Sequence, residues 1–133
     1  MTDEELLARA DAVAERAYAP YSKFHVGAAV LTRDGTVIEG VNVENAAYPL
    51  GTCAERTALS RAVTEGFGPG GLEAIAITAS PCGGCRQWLH EFGLDRVIFR
   101  KSSGEPVTRT PDELLPESFD PVSYTHLTLP TKA

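Results

Sequence analysis

Sulfur, histidine and positive charge are all scarce in this 133-residue chain, and each shortage narrows what it can be. Its 3 cysteines cannot all pair with one another. At least one thiol is therefore free, and in a reducing compartment free thiols point to metal or catalysis more often than to staples. Against 18 Asp and Glu stand only 12 Lys and Arg, a formal net charge of −6. Binding a polymer of phosphates needs a basic stripe that releases counterions, so no nucleic-acid partner is expected. No run of ~18 apolar residues occurs, so no helix is expected to cross a membrane. The opening Met1-Thr2-Asp3-Glu4-Glu5 is acidic where a secretory signal is basic and then apolar, and a cytoplasmic location is expected. There are 3 histidines, His25, His90 and His126, and none is spaced near a cysteine.

What remains is sufficient for one packed domain. At 43% hydrophobic residues, a chain of this length buries roughly two-thirds of its unfolded surface. Thr2-x-x-Glu5 reads as a capping box before Leu6, Leu7, Ala10, Val13, Ala14 and Ala17 at helical spacing, a helix that stops before Pro20. Val26 to Leu31 and Thr36 to Val41 flank the turn signal Arg33-Asp34-Gly35 and predict a hairpin. Asn42 to Gly51 reads as loop, and Thr52 to Glu65 as a helix capped by Thr52, with Val63 on its apolar face. The apolar run Leu72 to Thr78 predicts a strand buried on both faces. Pro81 opens a helix through Phe92, with Trp88 in the core, and Asp95 to Arg100 is the next strand. Strand, helix, strand implies a parallel crossover. The short link Lys101 to Glu105 makes Pro106 to Arg109 antiparallel to its neighbour, and Thr110 caps a final short helix. His25 is expected to point outward from a strand and His90 from an exposed helix face. The expected fold is α/β, a three-layer α/β/α sandwich around a mixed five-stranded sheet.

All the cysteines fall at helix starts. Cys53 adjoins the expected cap Thr52, and Cys82 and Cys85 share one face of the next helix start. Helix N-termini favour thiolates, the form that binds metal. Three thiolates can hold zinc and leave a fourth position open, the mark of a catalytic rather than a structural site. Glu55, two residues after Cys53, aims a carboxylate beside that open position. Thr52-x-x-Glu55 also reads as a capping box, but the flanking cysteines favour catalysis. Cys53-Ala54-Glu55 followed by Pro81-Cys82-Gly83-Gly84-Cys85 is the signature of zinc nucleobase deaminases, with cysteine in place of histidine in its first half. A doubly charged zinc among three thiolates leaves one net negative charge, which weakens its ability to acidify water unless something offsets it.

Three further segments extend the pattern. Pro20-Tyr21-Ser22-Lys23-Phe24-His25-Val26-Gly27-Ala28-Ala29, Gly40-Val41-Asn42-Val43-Glu44-Asn45-Ala46-Ala47-Tyr48 and Leu114-Leu115-Pro116-Glu117-Ser118-Phe119 all resemble motifs of the small homotetrameric zinc-dependent cytidine deaminases. The resemblance runs in order over residues 1 to about 120. It implies one zinc per chain on Cys53, Cys82 and Cys85, with Glu55 as proton shuttle and Arg56 donating to the thiolate sulfurs. It further implies Asn42 and Glu44 on the ribose 3′-hydroxyl, Phe24 against the pyrimidine, and Ala46 contacting the base through its backbone. Phe119 and Tyr48 would reach into a neighbouring subunit's pocket. The implied reaction is hydrolysis of cytidine and 2′-deoxycytidine to uridine and 2′-deoxyuridine, a pyrimidine-salvage step. A carboxylate at Glu44 suits a neutral sugar and repels a 5′-phosphate, so a nucleoside is favoured over a nucleotide.

Competing readings are a deaminase of another aminopyrimidine nucleoside, such as a blasticidin-type antibiotic, a nucleic-acid editor, and a non-catalytic zinc-binding protein. The editor lacks its basic groove, and a structural zinc module would need a fourth protein ligand, which no histidine spaced near a cysteine supplies, although folding could bring one close. Two departures from the family stand out. The segment before Pro81 is a few residues short, which would alter the pocket near the metal. Residues 1–121 read as the deaminase domain, whereas residues 122–133, Val122 to Ala133, resemble translated vector sequence and are expected to be non-native and disordered.

Overall fold

The computed structural model describes residues 1–119; the tail expectation for residues 122–133 lies outside them. The described chain runs α1 (Asp3–Val13), β1 (Gly27–Thr32), β2 (Val37–Val41), α2 (Ala54–Thr64), β3 (Leu72–Ile77), α3 (Gly83–Phe92), β4 (Arg96–Arg100), β5 (Pro106–Arg109) and α4 (Pro111–Leu114). One sheet holds all five strands in the order β2-β1-β3-β4-β5. Only β3 and β4 are parallel, joined through α3 as the strand–helix–strand reading requires, and β5 turns back antiparallel on β4.

Side-chain parity along the strands builds the three layers. Ala29 and Leu31 of β1, Ala74 and Ala76 of β3, and Ile98 of β4 face α1, where they bury Leu6, Leu7 and Ala10. Their neighbours Ala28, Val30, Ile75, Ile77, Val97 and Phe99 face the other way, onto Ala58 and Leu59 of α2 and Leu89 of α3. A strand buried on both faces must be apolar throughout, which is why β1 and β3 read as continuous apolar runs rather than alternating ones. Two glycines set how closely the layers approach. A Cβ at Gly27 would lie 2.1 Å from the Ala10 carbonyl oxygen, and one at Gly40 would lie 2.4 Å from the backbone nitrogen of Ala58.

Several local expectations are corrected. The first helix does not reach Ala17. It keeps its Thr2/Glu5 capping box but ends at Val13, and a 3₁₀ turn covers Ala14–Arg16. Thr52 is not the cap of α2: its backbone is paired in extended form with Val43, so Cys53 becomes the N-cap, without a side-chain capping bond. Pro81 precedes α3 rather than opening it, and Cys82 is the cap. Trp88 is half-buried, stacked on Phe92 at 6.0 Å, because α3 turns that face toward the outer surface; Val63 of α2 is exposed beside it. His90 is half-buried 3.3 Å from Asp112 of α4, and His25 is an exposed residue ahead of β1.

Because the atoms facing Gly40 are backbone, α2 cannot accommodate a methyl there by a rotamer change. Gly40→Ala is expected to lower the unfolding free energy by about 1–3 kcal/mol at an unchanged denaturant slope. Urea titration checks it, and a variant as stable as the parent would refute this account of the β2–α2 contact.

Candidate metal centre and active-site cleft

Two helix starts meet at one point. Cys53 caps α2, Cys82 caps α3, and Cys85 lies in the first turn of α3. Their three sulfurs lie within 4.8 Å of one another. Among the described residues no other His, Cys, Asp or Glu joins the cluster. Three soft, convergent thiol donors with no fourth protein ligand suit zinc with one position open.

The surrounding charges fit an anionic trio. Arg56, one turn into α2, places Nη2 3.9 Å from Cys82 Sγ, and its bond to the Cys85 sulfur holds the guanidinium firmly protonated. Its Nε is buried with no hydrogen-bond partner among the described residues, an arrangement that a cation tolerates only beside compensating negative charge. The space it fills is left by a glycine: a Cβ at Gly84 would lie 2.4 Å from Nη2. Arg86 braces the same corner, with Nε on the Pro81 carbonyl at 2.9 Å, Nη1 on the Leu114 carbonyl at 3.0 Å and Nη2 on Ser80 Oγ at 3.3 Å. Arg56 was expected beside the thiolate sulfurs, but the gap it fills and the bracing by Arg86 were not assigned from sequence. A second glycine in the first turn of a helix was the available signal, since glycine there weakens the helix unless space is at issue.

The thiols do not all respond to the helix starts as expected. Burial pushes Cys85 well up, aided by the nearby Glu55 carboxylate, and burial likewise raises Cys53. Cys82 moves the other way. Burial opposes it, but the Cys85 N–H, 3.5 Å from its sulfur, together with the neighbouring thiols and Arg56, holds it below the usual thiol range. Glu55 is 4% exposed, and burial raises its carboxyl above the ordinary range. Burial thus favours its protonated form more than it would for an exposed carboxylate. The Thr52/Glu55 capping box is absent: Glu55 turns inward instead.

Beside the sulfurs opens a cleft of about 610 Å³. Its wall includes Phe24, Asn42, Glu44, Tyr48, Cys53, Glu55 and Cys82, so most of the sequence-expected site is brought together. Ala79 and Ser80, from the short segment before Pro81, complete one side. Ala46 is exposed and is not among the cleft-lining residues. Phe119 is 65% exposed and away from the cleft, with its carbonyl accepting from Gln87 Nε2 at 2.8 Å. Asn42 and Glu44 both make hydrogen bonds to the residue 21–26 segment, which sequence did not anticipate.

Because Cys53 and Cys85 are held as thiols by burial, taking up a metal must release protons. Zinc affinity is thus expected to rise with pH, and competition with a chelator at about pH 6 and about pH 8 reads it; equal affinities would contradict the assignment. Cys82→Ala should bind well under one zinc per chain while keeping its far-ultraviolet dichroism.

Comparison with known proteins agrees with this geometry. The family described as the cytidine and deoxycytidylate deaminase zinc-binding region matches residues 1–101. The chain is 43% identical over 127 residues to a cytidine deaminase of Sporosarcina psychrophila, covering 90% of this chain and 92% of that protein. A crystal structure of the cytidine deaminase from Burkholderia pseudomallei matches at a TM-score of 0.84 and 44% identity, over 90% of this chain and 100% of that one. That from Mycobacterium tuberculosis matches at 0.77 and 37%, over 90% and 98%. A likeness of that extent in sequence and backbone together, over the segment that carries the three sulfurs, makes this chain a member of the cytidine and deoxycytidylate deaminase family.

Proposed function

We propose that this chain is a cytidine deaminase, converting cytidine and 2′-deoxycytidine with water into uridine and 2′-deoxyuridine plus ammonia. The observation that carries the reading is the buried Glu55 carboxyl lining the same cleft as a metal-competent cysteine trio. When bound by Cys53, Cys82 and Cys85, zinc supplies the positive charge that makes water nucleophilic near neutral pH. Everything else falls to the chain itself. Glu55, its carboxyl raised by burial, takes one proton from the attacking water and delivers it to ring N3. It then takes the remaining hydroxyl proton of the C4 addition intermediate and passes it to the departing amine as the C4–N bond breaks and the C4 carbonyl forms. Arg56 offsets the negative charge of the thiolates. Phe24 forms an aromatic wall for the pyrimidine, and Asn42 and Glu44 bind the sugar. The negative Glu44, held below the usual carboxylate range first by the Ser22 hydroxyl, disfavours a 5′-phosphate.

Ala46, Tyr48 and Phe119 enter the reading through assembly. Tyr48 is 75% exposed and Phe119 65%, large apolar surface of the kind that marks contact between molecules. In a homotetramer Tyr48 and Phe119 would complete a neighbour's cleft, and Ala46 would offer its backbone to the base. Residues 1–121 form the working unit, acting in the cytoplasm.

Replacing Glu55 by Gln keeps the shape of the side chain and removes the proton carrier. Glu55→Gln is expected to retain one zinc per chain and lose about 10²- to 10⁴-fold in kcat, followed by the fall in cytidine absorbance with and without chelator. Near-normal turnover in that variant would remove Glu55 from the chemistry.

A further inference from the structure

The segment that carries Phe24 is not part of any helix or strand. Ahead of β1, Tyr21, Ser22, Phe24 and Val26 line the cleft, on a stretch held chiefly by side chains. Glu44 Oε1 accepts from the backbone N–H groups of Tyr21 at 3.0 Å and Ser22 at 3.1 Å. The Ser22 hydroxyl donates to Glu44 Oε2 through a short hydrogen bond, and the same Oγ accepts from the Phe24 N–H at 3.0 Å. Asn42 closes the other side, its Oδ1 accepting from Val26 N at 2.8 Å and its Nδ2 donating to the Phe24 carbonyl at 2.9 Å. Between Ser22 and Phe24, Lys23 sits at φ +62°, left-handed backbone that a lysine enters only when its surroundings impose it.

A count of donors and acceptors shows what this leaves for a ligand. A carboxylate offers about four lone-pair positions and a primary amide two N–H groups. Oε1 of Glu44 is filled by its two backbone donors, and Oε2 has one position taken by Ser22. One acceptor position on Oε2 therefore remains, beside one unused N–H on Asn42. A single sugar hydroxyl can use both at once, donating to Glu44 and accepting from Asn42. Ser22 decides that outcome: its hydroxyl orients the Oε2 edge of the carboxylate and, through the Phe24 N–H, fixes the turn that presents the aromatic ring.

We propose that Ser22 is a positioning residue for nucleoside binding, coupling the sugar-binding carboxylate of Glu44 to the aromatic wall of Phe24 through one bridging hydroxyl. This rests on the cytidine deaminase reading above. Ser22 lines the cleft but lies outside the sulfur–Glu55 cluster, so it acts on binding rather than on the proton steps.

The test compares the zinc-loaded parent with Ser22→Ala and Ser22→Thr. Losing a hydrogen bond to a charged group costs roughly 10- to 100-fold in affinity. Ser22→Ala should raise KM for cytidine and the inhibition constant of uridine by the same factor within that range, with kcat and zinc content little changed. Ser22→Thr keeps the hydroxyl and should recover most of both. An unchanged KM in Ser22→Ala overturns the proposal, as does a fall in kcat without a KM change. A KM rise that Ser22→Thr fails to recover, or one accompanied by loss of zinc or of thermal stability, also overturns it, because the residue would then merely hold the fold. A parent that neither converts nor binds cytidine sinks the underlying reading, and the Ser22 proposal with it; a working parent with an unaffected alanine variant sinks the Ser22 proposal alone.

Discussion

Three sulfurs held within 4.8 Å of one another are the constraint on which the rest of the molecule depends. Placed so closely in a partly buried corner, three thiolates would repel strongly without compensation, because low local dielectric strengthens every uncancelled charge. The fold supplies that compensation from several directions. The starts of α2 and α3 direct free N–H groups at the cluster. Arg56 inserts a guanidinium whose Nε is buried in the gap left by Gly84, and Arg86 ties Pro81 and Ser80 to the Leu114 carbonyl at the end of α4, which holds Cys82 near the other two. The sheet serves the same end. Gly27 lets α1 approach β1 and Gly40 lets α2 approach β2, and the position of α2 sets that of Cys53.

The cleft is built on a different principle from the metal corner. Its far wall has no sheet or helix to make it rigid, so Asn42 and Glu44 provide the backbone partners that regular structure would otherwise provide. The same side chains that hold the wall also line the cleft, and under the proposed reading their remaining hydrogen-bonding capacity is what a sugar would use. On that reading wall shape and sugar binding would be linked through Ser22 and Glu44, whose hydrogen bonds join the carboxylate to the Phe24 turn. Glu55 and the sulfurs are insulated from that linkage because they rest on helix starts packed against the core, where Ala54 and Ala58 are fully buried.

Much of this was legible in the residues alone. The capping box at Thr2, the hairpin turn at Asp34, the parallel step through α3 and the antiparallel return of β5 each follow from local rules about caps, turns and link length, and each is present. The Cys-x-Glu and Cys-x-x-Cys pairs announced their chemistry because metal ligation needs donors on one helix face, a short-range pattern. Local rules misread Thr52, whose capping tendency lost to a long-range pairing with Val43. They misread Trp88 and Val63 as well, since a helix face can be apolar without facing the core.

Sequence by itself determined the kinds of atoms at the site: three sulfurs, one carboxylate, one guanidinium and the helix starts that present them. Only the tertiary structure decided their energies and vacancies. Burial, which depends on residues far apart along the chain, raised Cys85 and Glu55 while hydrogen bonds lowered Cys82. Hydrogen bonds to Tyr21 and Ser22 decided which lone pairs of Glu44 are already taken. Proton affinity and free hydrogen-bonding capacity are properties of surroundings, and surroundings exist only once the chain has closed on itself.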